Sequence, residues 1–252
     1  MNNLKKKIIK LLIIILFEFI CIFINTSSTK YYESNTPIPI LTYHSVTDNN
    51  FTACENMFVK PSEFEKQMKM ITEQGFTPIF ADEIKNAYLY KNPIIITFDD
   101  GYIDNYQIVY PVIKENHIKI TIFIITNNID KKHFLTSTDL LEMYQSGFVS
   151  IQSHTASHKR LTLLDDSQLE KELKDSKNAI IKLIKKKPLA VTYPFGSINQ
   201  NQIKLINKYY QIGFTSSSGV MSNDHNKYII KRYQVNKNTD LKSLCNYLRS
   251  FK

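Results

Sequence analysis

Two adjacent aspartates and a pair of histidines are the side chains in this sequence that could do chemistry together. Asp99 and Asp100 directly follow the apolar run 93–98, and His154 and His158 lie four positions apart in a segment rich in serine and threonine. Neighbouring carboxylates are costly to bury unless a cation or hydrogen-bond donors compensate them. Two histidines at this spacing can face one point, as metal ligands must. One carboxylate and two imidazoles would leave coordination positions open for water and substrate.

Each motif also has a purely structural interpretation. An Asp-Asp-Gly sequence is a common turn and helix cap, and two histidines could simply flank a polar surface loop. The chemical interpretation is favoured because both motifs directly follow apolar runs that predict strands. Nitrogen and oxygen ligands of this kind suit Zn²⁺, with Co²⁺, Ni²⁺ or Mn²⁺ as alternatives. The sequence therefore predicts a divalent-metal site, with zinc as the first choice.

Short apolar runs alternate with amphipathic stretches along most of the chain. The apolar runs predict strands over 38–43, 93–98, 118–126, 148–151, 189–193 and 212–215. Helical spacing and capping residues predict helices over 61–74, 106–115, 137–146, 165–185 and 199–209. Continuous apolar strands between helices indicate a parallel sheet covered on both faces. The pattern predicts an α/β fold, a distorted (β/α) barrel of about seven parallel strands.

Polar residues follow the predicted strands at four points along the chain. These points are His44, the Asp-Asp-Gly turn at 99–101, the segment 152–158 and the segment 193–196. In a parallel barrel, catalytic side chains come from the C-terminal ends of several strands. We therefore expect the four segments to meet at one end of the barrel and to build one site.

Three of these segments resemble the motifs of a known family. The segments 97–101 (Thr-Phe-Asp-Asp-Gly), 153–158 (Ser-His-Thr-Ala-Ser-His) and 193–196 (Tyr-Pro-Phe-Gly) are similar to the three motifs of the polysaccharide deacetylases, also called carbohydrate esterase family four or the NodB-homology domain. The resemblance extends over about residues 38–235. It implies a NodB-type barrel and a metal-dependent enzyme. The implied reaction is hydrolysis of acetamide groups on N-acetylglucosamine residues of a cell-surface polysaccharide, either peptidoglycan or poly-N-acetylglucosamine.

The resemblance also implies a role for individual residues. Three of them would bind the metal: Asp100, His154 and His158. Asp99 would accept a proton from the attacking water. The backbone N–H of Phe195 would stabilise the oxyanion, and Tyr193 and Pro194 would contact the substrate.

The chain departs from the family pattern in two places. The third motif usually begins with arginine, where this chain has Thr192, and no late Leu-x-His motif supplies an acid, since His225 lies in a polar loop. The segment 43–45 (Tyr-His-Ser) instead resembles the subgroup that deacetylates poly-β-1,6-N-acetylglucosamine, in which an early histidine takes the acid's place. The resemblance therefore implies His44 as the acid that protonates the leaving amine. It also suggests that Arg232 replaces the missing arginine beside the base.

The N-terminus predicts export. Three lysines at 5–7 precede a mostly apolar run over 8–24, which is typical of a secretory signal. Because Glu18 interrupts the run and no clear cleavage site follows, residues 1–29 are interpreted as either a signal peptide or a membrane anchor. A buried core helix is the alternative. Residues 30–252 are predicted to form the deacetylase domain, located at the extracellular face of the membrane, in the cell wall or in secreted form.

Composition narrows the range of partners. The chain has 252 residues, 32 basic and 23 acidic, for a net charge of +9, which suits an anionic cell wall or membrane surface. No nucleic-acid partner is expected, because the sequence has no arginine-rich run, zinc-finger spacing or RNA-binding signature. A catalytically silent glycan-binding module on the same fold is the alternative function. That alternative predicts the loss of at least one metal ligand or of the base.

Overall fold

The computed structural model describes residues 37–48, 56–216 and 226–251. The predicted export segment over 1–29 and His225 lie outside these ranges. All described residues belong to one compact unit, Pro37–Lys252. Within the described part of the chain, no helix combines the length and the apolar character needed to cross a bilayer.

A parallel sheet forms the centre of the fold. The described residues contain ten strands: β1 (Ile40–Tyr43), β2 (Ser45–Val46), β3 (Phe58–Val59), β4 (Thr77–Ile79), β5 (Pro93–Asp100), β6 (Ile120–Ile124), β7 (Val149–Ser153), β8 (Ala190–Thr192), β9 (Ile212–Phe214) and β10 (Tyr233–Gln234). The sheet has the order β10-β1-β5-β6-β7-β8-β9, and β4 pairs with the first half of β5. Every pairing within it is parallel. Strands β2 and β3 form a separate parallel pair.

Helices connect the strands and cover the outer face of the sheet. The described α-helices are α1 (Pro61–Glu73), α2 (Tyr110–Glu115), α3 (Ser137–Gln145), α4 (Asp166–Ile184), α5 (Gln200–Tyr209) and α6 (Leu241–Arg249). Helices α3, α4 and α5 begin where the sequence predicts, because Thr136, Asp165 and Asn199 each accept a hydrogen bond from a backbone N–H of the first turn. A π-helical turn, Asn105–Val109, precedes α2 within the predicted helix 106–115.

Alternating side chains of β5 face opposite sides of the sheet. Ile94, Ile96 and Phe98 pack into the larger hydrophobic cluster, which includes residues from the covering helices. Ile95 packs into a smaller cluster on the inner face, turned away from those helices. Because strand side chains alternate, Asp99 shares the inner face with Ile95. The alternation of side chains along β5 therefore directs the Asp99 carboxylate into the barrel.

The sheet curls into an incomplete barrel. Phe214 in β9 forms a single parallel bridge with Ile230, in the segment that leads into β10. Two backbone hydrogen bonds support the bridge, from the Thr215 N–H to the Ile230 carbonyl and from the Ile230 N–H to the Gly213 carbonyl. The predicted α/β barrel of about seven parallel strands is confirmed. The sequence analysis did not predict four short strands, which are β2, β3, β4 and β10.

Candidate metal centre and active site

Three predicted ligands converge at the C-terminal ends of β5 and β7. Oδ1 of Asp100 lies 3.4 Å from Nε2 of His154 and 3.5 Å from Nε2 of His158. One ligand atom from each of the three residues lies within 4.8 Å of the others. Oδ1 of Asp100 is buried and has no hydrogen-bond partner among the described residues. A buried carboxylate oxygen that faces two imidazole nitrogens and lacks a donor fits a bound cation, and this donor set suits a divalent metal.

The backbone around the predicted ligands has positive φ values, which residues with a side chain rarely adopt. Asp100 has a φ of 72°, Thr155 a φ of 64° and His158 a φ of 58°. Gly101 follows with a φ of 79°, and a Cβ there would lie 3.1 Å from Cγ2 of Ile124. Left-handed backbone at non-glycine residues costs free energy and persists only where surrounding contacts impose it. The surrounding contacts therefore hold the ligand segments in a geometry that the chain alone would not adopt.

Thr192 orients the first histidine. Nδ1 of His154 lies 3.0 Å from the Thr192 carbonyl oxygen and 2.5 Å from the hydroxyl of the same residue. A carbonyl can only accept, so Nδ1 carries the proton and Nε2 is left free to bind a cation. Thr192 stands where the resembled family usually has arginine, and it contacts His154 rather than Asp99.

Arg232 holds Asp99 through a bidentate ion pair. Its Nη1 donates to Oδ1 at 2.8 Å and its Nη2 donates to Oδ2 at 2.6 Å. Nη1 also donates to Oγ1 of Thr97 at 3.0 Å, and both charged groups are buried. Burial acts to raise the pKa of Asp99, but the charge and hydrogen bonds of Arg232 outweigh it and hold that pKa well below its usual range. The contact suggested by the sequence is present, and it keeps Asp99 ionised.

His44 lies close enough to Asp99 and Asp100 for their charges to act on its imidazole. Burial lowers the pKa of its imidazole, while the negative charges of Asp100 and Asp99 oppose that shift. Its Nδ1 is buried without a hydrogen-bond partner among the described residues. The Asn105 side chain donates to the His44 carbonyl oxygen at 2.9 Å. The structure thus brings the histidine from the front of the sequence close to the two aspartates.

Asp104, which the sequence analysis did not single out, anchors the segment after His44. Its Oδ1 accepts from the Val46 N–H at 3.2 Å, and its Oδ2 accepts from the Ser45 hydroxyl. Burial raises the pKa of Asp104 to about 6, although these hydrogen bonds act in the opposite direction. The distance of 58 residues between Asp104 and Val46 explains why no local pattern could reveal the contact.

Tyr193 and Pro194, the predicted substrate-binding residues, are both buried. The Tyr193 side chain is 0% exposed, and its hydroxyl donates to the Tyr228 carbonyl oxygen at 2.9 Å. It lies so close to Gly213 that a Cβ there would be 1.8 Å from the hydroxyl oxygen. Pro194 is buried as well. Buried side chains offer a polymer little surface, and the substrate contacts of Tyr193 and Pro194 stay predictions.

Phe195 is the member of the third motif that reaches the surface. It is 54% exposed and has a φ of 60°. Its ring centroid lies 4.8 Å from that of His158, and the Arg160 guanidinium lies over the ring, 4.6 Å from the same centroid. The sequence analysis assigned Phe195 only a backbone role. The aromatic side chain itself forms a wall beside the metal-ligand cluster.

Comparison with known proteins agrees with this geometry. A family model described as polysaccharide deacetylase matches residues 88–212, a span that contains both aspartates and both predicted histidine ligands. YxkH of Bacillus subtilis (strain 168), a protein named for its likeness to polysaccharide deacetylases, is 35% identical over 90% of this chain and 82% of its own length. The chain belongs to the polysaccharide deacetylase family. Members of this family are hydrolases that act on amides.

Two further relatives of this deacetylase bear on its fold and site. The poly-β-1,6-N-acetyl-D-glucosamine N-deacetylase of Staphylococcus epidermidis is 30% identical over 81% of this chain and 80% of its own length. The crystal structure of BC0361, a polysaccharide deacetylase from Bacillus cereus, superposes on this structure with a TM-score of 0.79. The two proteins are 28% identical, and the superposition covers 84% of this chain and 69% of the BC0361 chain. The family model ends before Arg232 and begins after His44. The match to the family model therefore does not bear on those two residues of the deacetylase.

Replacing His154 with alanine is expected to weaken zinc binding by the deacetylase at least a hundredfold, because one of three protein ligands is lost. Competition with a chromophoric chelator measures the dissociation constant directly. His117→Ala is the matched control, since this exposed imidazole contacts Lys114 and Phe148 instead of the cluster. Equal zinc affinity in His154→Ala and the control would show that the cluster is not the metal site.

Proposed function

We propose that this deacetylase is a metal-dependent N-deacetylase that hydrolyses acetamide groups of N-acetylglucosamine residues in a cell-surface polysaccharide. The observation that carries the proposal is the convergence of an Asp-His-His cluster with a second, ionised aspartate that a buried arginine holds beside it. This arrangement combines a cation site with a fixed proton acceptor, the two components that metal-assisted amide hydrolysis requires. Zn²⁺ is the proposed ion, with Co²⁺, Ni²⁺ and Mn²⁺ as alternatives.

Each residue of the site has a separate task in the proposed mechanism. Asp100, His154 and His158 would hold the metal, which when bound lowers the pKa of a water ligand and polarises the acetamide oxygen. Asp99 accepts the proton of the attacking water, and its low pKa makes it a weak base that depends on an acidified water. The Phe195 N–H donates to the developing oxyanion.

His44 completes the reaction by protonating the amine as the carbon–nitrogen bond breaks. Expulsion of an unprotonated amine anion would be prohibitive, so an acid must reach the nitrogen. Burial favours the neutral form of His44 in the free site, while Asp99 and Asp100 favour the charged form. The imidazole can therefore take up a proton during turnover and release it to the amine.

Two polymers are proposed as substrates. Poly-β-1,6-N-acetylglucosamine is favoured by the Tyr-His-Ser segment at 43–45 and by the named activity of the Staphylococcus epidermidis relative. Peptidoglycan is supported by the net charge of +9, which suits an anionic wall. Both substrates lie outside the cell, and we propose that residues 1–29 direct export as a signal peptide or membrane anchor.

A catalytically silent glycan-binding module would be expected to have lost a ligand or the base. Asp99, Asp100, His154 and His158 are all present, and the structure brings them together. No observation favours the binding module over the enzyme.

The test is acetate release from poly-β-1,6-N-acetylglucosamine and from intact peptidoglycan, measured side by side with the purified protein. Release from one polymer that a chelator abolishes and added Zn²⁺ restores is the expected result, and it also identifies the substrate. Chelator-resistant release would contradict the metal requirement. No release from either polymer with Zn²⁺ supplied would contradict the substrate assignment and favour the binding module.

A further inference from the structure

Side-chain oxygens accept the N–H groups of the turn between the two proposed histidine ligands, while the Thr155 and Ala156 carbonyls accept from Thr126 and Asn127. The four N–H groups that follow His154 all donate to side-chain oxygens: Thr155 to Ser153, Ala156 and Ser157 to Glu172, and His158 to Thr155. Thr155 and His158 both have positive φ. Successive N–H groups in such a turn point into a common concavity that binds anions. Here the concavity is filled by the protein's own carboxylate.

Glu172 occupies that concavity from helix α4. Its Oε2 accepts from the Ala156 N–H at 3.1 Å and from the Ser157 N–H at 2.8 Å, and its Oε1 accepts from the Ser157 hydroxyl. The residue is 7% exposed, and its nearest cation, Nζ of Lys159, lies 3.9 Å away. A buried carboxylate is costly unless donors compensate it, and charge-assisted hydrogen bonds of this kind are roughly twice as strong as neutral ones. The turn and Glu172 therefore depend on one another.

We propose that Glu172 is a positioning residue for the metal centre and acts through the turn that carries His158. This inference rests on the proposed metal-dependent function. Without the carboxylate, the buried Ala156 N–H and the half-buried Ser157 N–H would lose their acceptor, and the left-handed backbone would lose two of the contacts that hold it. His158 follows Ser157 directly, so its imidazole would leave the point that it shares with Asp100.

The two histidine ligands differ in their dependence on Glu172. His154 belongs to the end of β7 and is oriented by Thr192, independently of the turn. Helix α4 also keeps a second contact with this region, the hydrogen bond between the hydroxyls of Ser176 and Ser153 at 2.7 Å. Loss of Glu172 should therefore weaken the metal site through His158 while the fold and the other two ligands remain.

The test compares Glu172→Ala and Glu172→Gln with Asp175→Ala in the full chain. Asp175 lies on the same helix and pairs with exposed Lys171 at 2.7 Å, so its replacement removes the same charge without touching the turn. Zinc affinity is measured by chelator competition. Glu172→Ala is expected to bind zinc 10–100-fold more weakly than wild type, the usual effect of losing an outer-shell partner. Glu172→Gln should weaken binding less, because its amide oxygen still accepts hydrogen bonds, and Asp175→Ala should match wild type.

A second measurement separates positioning from general stabilisation. Zinc raises Tm by an amount that depends on its affinity, so the zinc-induced rise should be smaller in Glu172→Ala than in Asp175→Ala. A folded Glu172→Ala with wild-type zinc affinity, and a Tm lowered equally with and without zinc, would overturn the proposal. If Glu172→Ala does not fold, the same zinc affinity and Tm measurements on Glu172→Gln decide, and wild-type zinc affinity in that variant would overturn the proposal. Failure of the wild type to bind zinc would instead contradict the proposed function.

Discussion

Replacing Asp99 with asparagine should lower the rate of acetate release by a factor of about 10² to 10⁴ while zinc affinity stays within about twofold of wild type. Asparagine has the shape of aspartate but cannot accept the proton of the attacking water. The metal ligands are not touched, because Asp99 is held by Arg232 and faces the inside of the barrel. The measurements are kcat on the accepted polymer and zinc affinity by chelator competition.

The Asp99→Asn variant needs a control that separates lost catalysis from lost folding. Asp99→Asn leaves the guanidinium of Arg232 buried without its anionic partner, so a lower free energy of unfolding is also expected. Rates are therefore corrected for the folded fraction measured by circular dichroism at the assay temperature. Near-normal turnover in the folded fraction would show that Asp99 is not the base. Loss of zinc would place Asp99 among the metal ligands instead.

Replacing Arg232 with methionine should lower the free energy of unfolding at neutral pH by about 3–5 kcal/mol, because one partner of a buried ion pair is removed. Asp99 then keeps its desolvation cost and loses the charge that held its pKa down. In wild type, this lowered pKa contributes stability that is present above the ordinary pKa of aspartate and is lost as pH falls toward the folded-state value. The difference in stability between wild type and Arg232→Met should therefore be larger at pH 7 than at pH 4.

Urea unfolding at several pH values measures this difference, and Arg249→Met is the matched control because Arg249 is exposed on α6. Adding Asp99→Asn to Arg232→Met should recover part of the lost stability, since the buried charge is removed with its partner. A stability loss that is independent of pH, or additive losses in the double variant, would contradict the coupling of these two residues. Activity of Arg232→Met should also shift to higher pH, because the pKa of Asp99 rises.

Several features of the molecule could be predicted from the sequence because they depend on neighbours along the chain. Strand and helix positions follow from apolar periodicity and capping residues, and five helices lie within a few residues of their predicted limits. The metal ligands could be proposed because Asp100 ends one strand and the His154–His158 pair follows another. In a parallel barrel, strand ends meet at one edge whatever the exact curvature.

Other features were decided only by the tertiary structure. The ion pair between Arg232 and Asp99 joins residues 133 positions apart, and it forms because the segment before β10 closes the curled sheet onto β9. Glu172 reaches the histidine turn because α4 packs back across β7. Tyr193, which belongs to a motif and was predicted to contact the substrate, is buried, and its hydroxyl lies against Gly213 and donates to the Tyr228 carbonyl oxygen.

The physical reason for this division is the range of the interactions. Hydrophobic periodicity, caps and strand-end motifs act over a few residues, so the chain displays them directly. The pKa of Asp99, the orientation of His154 and the exposure of Phe195 instead depend on which distant groups the barrel brings within hydrogen-bond distance. Local patterns therefore indicated which residues could form the site, and the folded barrel placed them in the Asp-His-His cluster, beside Arg232 or at the surface.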